Sequence, residues 1–311
     1  IYLATCTYST DFPITNTFQQ SNNGSQEGCI LKIDNQLSSI IWSSYLGGSN
    51  DDAIYSIALD KHDNVFVTGG TTSNDFPISS NSYQNSYLDS IRSDAFITHV
   101  SSDGEIIINS TYFGSNEYDQ SYFVELDSEE NVYVYGQTKA IGNTLIFNAN
   151  YYQSNGNQFI SILTNDLSQL IRSTVIGTGK GSPDISPTAF LVDVCNNIYI
   201  SGWGGSTGNG SLSTLNMPIT LNAYQTSTDG NDFYLMVLDN ELNSLIYGTY
   251  FGGSQSAEHV DGGTSRFDKK GVIYQSVCAG CGNNNDFPIH PNPGAVSATN
   301  NSTNCNSNNS N

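Results

Sequence analysis

Carboxylates that follow a glycine turn are the side chains of this chain best suited to bind a metal ion. They recur in successive stretches as Asp51 and Asp52, as Asp119, and as Glu258. Calcium prefers several carboxylate and carbonyl oxygens, so these four residues are candidate calcium ligands. A carboxylate that recurs after the same turn also fits a cap for the amides of that turn, and we favour this interpretation. We therefore expect no cofactor, with calcium as the open alternative.

The sequence offers little for catalysis. Its four histidines, His62, His99, His259 and His290, lie at unrelated positions and outside any recognisable nucleophile motif. Two carboxylates could cleave a glycosidic bond, but their pairing in space is not visible in a sequence. Because carboxylates at repeated positions are more simply structural, we predict no catalytic residues and no enzyme activity.

Aromatic residues are a second kind of candidate. Trp42, Trp203 and many of the 19 tyrosines could stack against sugar rings. We favour packing in the core for both tryptophans. A carbohydrate-binding or carbohydrate-cleaving protein is the alternative that these residues keep open.

Four of the six cysteines have a spacing that suggests disulfides. Cys6 and Cys29 are 23 residues apart, and Cys281 and Cys305 are 24 apart. In each pair the first cysteine ends one predicted strand and the second follows a long loop, so a bond would close that loop and constrain the unfolded chain. We predict both disulfides, which are typical of secreted proteins.

The remaining cysteines leave alternatives. Cys278 competes with Cys281, because it has the strand position that Cys6 has in its own repeat, and Cys195 has no evident mate. The spacing of Cys278 and Cys281 also suggests a zinc or redox CxxC motif. Zinc needs a second close ligand pair and a redox motif needs a helix N-terminus, and the sequence supplies neither, so we favour structural disulfides.

The charge balance excludes several partners. The 311 residues include 29 Asp+Glu against nine Lys+Arg, a net charge of −20. Nucleic acids and anionic lipid surfaces both require basic side chains, and no apolar run approaches the roughly 20 residues that span a bilayer. We therefore predict no nucleic-acid partner and no membrane insertion.

Only 12% of the residues are charged, and a polar, uncharged surface is typical of extracellular adhesive proteins.

The elements that must position these residues recur along the chain. A short β-rich phrase starts five times, at spacings of 64, 67, 66 and 75 residues, and this regularity indicates a repeat architecture. The phrases start at Ile1, Val65, Val132, Ile198 and Ile273. An aromatic–Gln pair recurs with them, at Phe18-Gln19, Tyr83-Gln84, Tyr152-Gln153 and Tyr224-Gln225.

Each repeat predicts four strands joined by hairpins. In the second repeat they cover 55–60, 65–69, 94–100 and 106–112, with a long loop between the second and third. Such a unit is a β-propeller blade, so we predict an all-β propeller of four-stranded antiparallel blades, three complete and two partial. The predicted ranges are 1–46 (partial blade), 53–113, 120–176 and 188–251 (blades), and 257–311 (partial blade and loop).

The loops are expected to carry the function. Antiparallel order brings the long loops to one rim, and binding residues are commonly found on loops held by a rigid scaffold. The insertion at 204–216 makes that stretch the most individual part of the rim.

Several segments closely resemble the SBBP repeat, a β-propeller family, over nearly the whole chain. They are YLGGS at 45–49, IALD at 57–60, VFVTG at 65–69, DFP at 75–77 and DAF at 94–96. The stretches VDVCNNIYISGWGG at 192–205 and VCAGCG at 277–282 are more specific, and resemble large secreted Bacteroidetes proteins that carry such propellers. Those proteins typically end in a gliding-motility-associated domain read by the type IX secretion system.

The resemblance implies a secreted or outer-surface protein without assigned catalytic residues. We expect a scaffold or adhesive module whose partners are other domains of the same polypeptide and, as further candidates, surface glycans or the secretion and gliding machinery. Asp89-Ser90-Ile91 resembles the short O-glycosylation motif of Bacteroidetes, which makes Ser90 a candidate modification site.

Overall fold

The computed structural model describes residues 1–89, 91–207, 210–260, 265–281 and 286–289. The chain forms two compact units, Ile1–Ser182 and Pro183–Asn311. The described residues are all-β, as predicted, and contain no helix. They accordingly include no helix with the length and apolar character needed to cross a bilayer.

The first unit contains three antiparallel sheets. Three strands form the first sheet, β1(Tyr2–Thr7), β2(Glu27–Ile33) and β3(Ile40–Leu46). Four form the second, β4(Asp52–Leu59), β5(Val65–Thr71), β6(Asp94–Val100) and β7(Ile107–Phe113). Four form the third, β8(Asp119–Leu126), β9(Val132–Thr138), β10(Gln158–Leu163) and β11(Leu170–Ile176).

Sequential strands are neighbours within each of these sheets, and this order is that of a propeller blade. The middle strands are apolar on both faces, because a sheet lies against each of them. In β5, Val65 and Val67 pack into a cluster shared with the first sheet, whereas Phe66 packs into a cluster shared with the third. Every residue of β5 and β6 is buried. Face-to-face packing of successive four-stranded sheets confirms the predicted blade.

The second unit has one four-stranded sheet and three short strand pairs. The sheet has the order β12(Ser186–Val192), β13(Ile198–Trp203), β16(Phe233–Leu238) and β17(Leu245–Phe251). The pairs are β14(Ser206–Thr207) with β15(Gly210–Ser211), β18(Ala257–His259) with β21(Cys278–Cys281), and β19(Arg266–Phe267) with β20(Ile273–Tyr274).

A recurring Asp shapes the short turn between the first two strands of a sheet. Asp60 Oδ1 accepts hydrogen bonds from the backbone N–H groups of His62 and Asn64, both at 2.8 Å. Asp127, Asp193 and Asp268 make the equivalent pair of bonds in their own turns. The turn also requires a positive φ at its fourth residue, which Asp, Glu, Asn and Gly supply at Asp63, Glu130, Asn196 and Gly271.

The predicted Cys6–Cys29 disulfide is wrong, since both cysteines are free thiols. The register of β1 and β2 explains this result: Cys6 lies opposite Gly28, and Cys29 lies opposite Thr5. Successive side chains of a strand point to opposite faces, so the two sulfur atoms lie on different sides of the sheet. The predicted Cys281–Cys305 bond, with Cys278 as its competitor, involves a residue and a side chain outside the described part of the chain.

Candidate functional site

The long loops and the passages to the next sheet meet at one end of each blade, which we call the loop end. The loops cover 8–26, 72–93 and 139–157 in the first unit and 204–232 in the second. Because the strands are antiparallel, the chain leaves the last strand of each sheet at this same end. Each loop end therefore joins a variable loop to a glycine turn.

A glutamine ties the loop to the glycine turn. In the second sheet Gln84 Oε1 accepts from the backbone N–H of Gly114 at 3.0 Å, while Gln84 Nε2 donates to Asp94 Oδ2 at 3.5 Å. The same pair of bonds joins Gln19 to Gly47 and Glu27 in the first sheet. It also joins Gln225 to Gly252 and Asp232 in the second unit. The recurring aromatic–Gln pair of the sequence thus has a defined structural role.

A second carboxylate caps the glycine turn from the next strand. Asp52 Oδ2 accepts from Gly48 N at 2.8 Å, and Asp119 Oδ2 accepts from Ser115 N at 2.6 Å. Glu258 Oε1 accepts from Gly253 N at 3.3 Å in the second unit. Asp51 binds Gln26 N instead, at 3.0 Å.

The four candidate calcium ligands therefore lie at three different loop ends, each as a hydrogen-bond acceptor for backbone amides. Among the described residues, no group of three or more His, Cys, Asp or Glu side chains is arranged to hold a metal ion. Calcium binding by these residues stays an untested alternative.

Burial perturbs the acids of the loop ends. Desolvation, together with the negative charge of a neighbouring carboxylate, raises the pKa of Asp94 to about 7 and the pKa of Asp119 to about 6. Asp94 Oδ1 and Asp119 Oδ1 have no hydrogen-bond partner among the described residues. In the second unit, desolvation raises the pKa of Asp232 to about 6 and that of Glu258 to about 7. These buried acids hold protons at a pH where exposed carboxylates are ionised.

The acid that accepts a hydrogen bond from the loop glutamine was not among the candidate site residues predicted from the sequence. Glu27, Asp94 and Asp232 each stand 20 residues before a turn glycine, Gly47, Gly114 and Gly252 respectively. This constant spacing was visible in the sequence. Their burial was not, because it depends on how the loop folds over the turn. In the third sheet Asn157 has the same spacing from Gly177, so that position carries no charge.

His99 and both tryptophans contribute mainly to packing. His99 is buried and stacks on Phe66, with ring centroids 3.9 Å apart. Its Nε2 lies 3.4 Å from Asp60 Oδ2, and burial lowers the pKa of the imidazole. Trp42 is 1% exposed and donates from Nε1 to Ser102 O at 3.0 Å. Trp203 is also buried. Both tryptophans therefore lie inside the protein, as favoured from the sequence. His290 and Ser90 lie outside the described residues.

Large apolar side chains are exposed on every long loop. Ile91 is 87% exposed, Ile141 70% and Leu221 108%. Others at 41% exposure or more are Tyr8, Tyr83, Leu88, Phe147, Tyr152, Leu215 and Tyr224. Single exposed apolar residues are ordinary, and others lie away from the loops, such as Val194 at 88% exposure.

A tyrosine from the last strand of a sheet fixes each of three loops. Tyr45 donates from Oη to Ser9 O at 2.9 Å, and Tyr112 donates to Ser73 O at 2.7 Å. Tyr250 donates to Met217 O at 2.7 Å in the second unit. The rings of all three are buried, so the loops are held by the sheet beneath them.

Residues 41–77 match the model of a family described as "Beta-propeller repeat" (SBBP). The match covers all but the first residue of β3, then the glycine turn between the first two sheets, β4 and β5. It agrees with the blade architecture seen in the structure. No curated protein matches the chain.

Two solved structures are similar in part. One is a protein of unknown function from Bacteroides caccae, at 12% identity and a TM-score of 0.34, covering 72% of this chain and 60% of that one. The other is the extracellular domain of a hybrid two-component system from B. thetaiotaomicron, at 12% identity and a TM-score of 0.25, covering 82% of this chain and 32% of that one. The chain thus spans less than two thirds of each.

Proposed function

We propose that this chain is a non-catalytic interaction module in which β-propeller blades present anchored loops to partners outside the cell. The observation that carries this proposal is the recurrence of exposed apolar side chains on loops that the sheet holds in place. Anchored loops lose little conformational entropy on binding, so ordered apolar contacts favour association.

The acids of the loop ends support a structural role over a catalytic one. Asp94, Asp119, Asp232 and Glu258 are 0–1% exposed, and they accept hydrogen bonds from backbone amides or from the loop glutamine. A pair of carboxylates that cleaves a glycosidic bond must face an open cleft that admits the substrate. Carbohydrate cleavage by these groups is therefore the less favoured alternative.

A loop variant of the first unit tests the proposal. Replacing Tyr83, Leu88 and Ile91 with serine removes exposed apolar surface from one loop. We expect adsorption of the chain to cell surfaces or surface polymers to weaken by about tenfold, measured with immobilised protein. The matched control replaces Leu37 and Ile106, which are 67% and 58% exposed on turns at the opposite end of the same unit.

Equal loss of adsorption in the loop variant and the turn variant would contradict the proposal. So would hydrolysis of a glycan that a single carboxylate substitution abolishes in a hydrolase screen. Unchanged adsorption in the loop variant would favour passive spacing of a more distal adhesive domain.

The location of the protein is part of the proposal. The resemblance to secreted Bacteroidetes proteins and the polar, uncharged surface both support export, with type IX secretion and gliding motility as the finer hypothesis. Protease treatment of intact source cells tests it: we expect the chain to be cleaved while cytoplasmic markers survive. Protection of the chain until the cells are lysed would contradict an outer-surface location.

A further inference from the structure

A small cavity of about 140 Å³ lies at the loop end of the second sheet, within the first unit. Its lining includes Asp52 and Tyr55 of β4, together with Asp51, the residue before this strand. Gln26 and Gln120 line it from the first and third sheets. Since one water molecule takes about 30 Å³ of liquid volume, the cavity holds about four or five waters. Typical small-molecule sites measure roughly 300–1,000 Å³, so this cavity fits the end of one side chain better than a whole cofactor.

The charge of the lining selects a cation. Asp51 is an exposed carboxylate, and its Oδ1 accepts from Gln26 N at 3.0 Å, which leaves Oδ2 to accept from a ligand. The described residues that line the cavity include no Lys, Arg or His. An anion would therefore meet only negative charge, whereas a cation is attracted.

Asp52 carries a buried charge beside this cavity. The residue is 1% exposed, and its Oδ2 accepts from Gly48 N and Ser73 Oγ, at 2.8 and 2.9 Å. Its Oδ1 has no hydrogen-bond partner among the described residues. Desolvation, together with the negative charge of Glu27, raises the pKa of Asp52 to about 6, so the group is mostly ionised at neutral pH. A buried carboxylate without a cationic partner is costly, and a cation in the cavity offsets part of this cost.

Tyr55 gives the cavity an aromatic wall. Its side chain is 46% exposed, and its ring packs on Tyr122 of the third sheet with centroids 5.3 Å apart. A planar guanidinium group stacks on such a ring and donates several hydrogen bonds to carboxylates in a fixed fork. The combination of Tyr55 with an acidic lining therefore favours an arginine side chain over a compact ammonium group.

The pair of acids is particular to this loop end. The residue before the acid that caps the glycine turn is Asp51 in the second sheet, Tyr118 in the third and Ala257 in the second unit. Tyr118 donates from Oη to Gln120 Oε1 at 2.7 Å and lies 3.2 Å from Tyr122 Oη. In the third sheet a phenol thus takes the place of the second carboxylate.

We infer that this cavity binds the guanidinium group of an arginine side chain on a partner polypeptide, with Asp51 accepting its hydrogen bonds and Tyr55 stacking on its plane. The inference rests on the proposed function, since it names the partner chemistry of one loop end. A calcium ion fits this place less well, because the described residues include no group of three or more His, Cys, Asp or Glu side chains arranged to hold a metal.

Ligand-observed NMR of the full chain tests this inference with N-acetyl-arginine amide, N-acetyl-lysine amide and the neutral N-acetyl-citrulline amide. We expect the arginine derivative to bind with a Kd on the order of 1 mM. The citrulline derivative has a similar shape without the charge, so it should bind about tenfold more weakly, and the lysine derivative should also bind more weakly than arginine.

Two variants locate the binding. Asp51→Asn should weaken arginine binding by about tenfold, because it removes a charged acceptor, while asparagine keeps an oxygen for Gln26 N. Tyr55→Leu should weaken it by about threefold, because it removes the ring but keeps an apolar side chain on the strand. The Tm of each variant shows whether the chain is still folded.

The matched control is Asp103→Asn, which removes one exposed acid from the turn at the opposite end of the second sheet and should leave the affinity unchanged. Failure of the arginine derivative to bind would overturn the inference, as would equal binding of the citrulline derivative or tighter binding of the lysine derivative. Equal losses in Asp51→Asn and Asp103→Asn, or displacement of the arginine derivative by an equal concentration of calcium, would also overturn it. The loop variant of Tyr83, Leu88 and Ile91 reports on the interaction module separately, so the two proposals can fail independently.

Discussion

At the residue scale, the turn glycines are explained by the acids around them. A Cβ added to Gly47 would lie 2.5 Å from Asp52 Oδ2 and 2.5 Å from Glu27 Oε1. Both oxygens belong to buried carboxylates, so neither can move into solvent without breaking its hydrogen bonds. The glycine and the two acids therefore depend on one another.

Gly47→Ala should lower the free energy of unfolding by about 1–3 kcal/mol, because the added methyl group overpacks the turn. Urea denaturation of the full chain measures this change. Gly142→Asn is the control: a Cβ at Gly142 meets nothing within 4 Å, and asparagine tolerates its φ of +68°. A similar loss in both variants would argue against crowding at the turn.

Asp94 gives a prediction for pH. Its pKa in the folded protein is about 7, above the ordinary value of 3.8, so the folded state binds this proton more tightly than the unfolded chain. The resulting stabilisation is complete below about pH 3.8 and is lost as the pH rises to about 7. We expect the Tm of the wild type to fall more steeply between pH 5 and pH 8 than the Tm of Asp94→Asn.

Asp103→Asn is the control for this measurement, since hydrogen bonds lower the pKa of Asp103 and its substitution should leave the slope above pH 5 unchanged. If Tm changes with pH equally in the wild type and in Asp94→Asn, a group other than Asp94 causes the pH dependence.

At the scale of elements, the sequence predicted strands, hairpins and long loops because each has a local cause. The Asp of the short turn is an example: its two backbone hydrogen bonds lie within four residues, so pattern alone revealed it. The disulfide failed for the opposite reason. Whether Cys6 faces Cys29 depends on the register of β1 and β2, and a shift of one residue moves a side chain to the other face of the sheet.

The short turn of the third sheet gives a prediction at this scale. Asp127 Oδ1 accepts from Glu129 N and Asn131 N, both at 2.9 Å. Asp127→Ala should destabilise the chain by about 1–3 kcal/mol, because these amides lose their acceptor. Asp127→Asn keeps an acceptor oxygen and should lose less, as measured by thermal unfolding. Equal losses of stability in the two variants would show that the charge of Asp127, rather than its hydrogen bonds to the turn, stabilises the protein.

At the scale of the whole molecule, charge and repetition dominate. The chain carries a net charge of −20 at pH 7, and its calculated isoelectric point is about 4.1. Near that pH the molecules lose their mutual repulsion, so we expect a solubility minimum close to pH 4. Turbidity measured from pH 3 to pH 7 checks this, because the solubility minimum appears as a turbidity maximum. A turbidity maximum above pH 5 would contradict the prediction.

Repetition explains why architecture was easier to read than ligand specificity. A blade requires the same strands and turns each time, and five copies of one pattern reinforce the same assignment. Even the contact of Asp286 with Ser254 follows the repeat, because Asp75 makes the equivalent bond to Ser49 in the first unit. Ligand specificity would depend instead on the residues in which the loops differ, and those residues carry no periodic signal.

The tyrosine anchors have a consequence for how this protein can diversify. Each hydroxyl donates to a main-chain carbonyl, at Ser9, Ser73 or Met217, and every amino acid provides that same oxygen. The attachment point therefore places no demand on side-chain identity. Segments of different sequence and length could be exchanged between blades, by recombination or by grafting, while the sheets that carry them stay intact.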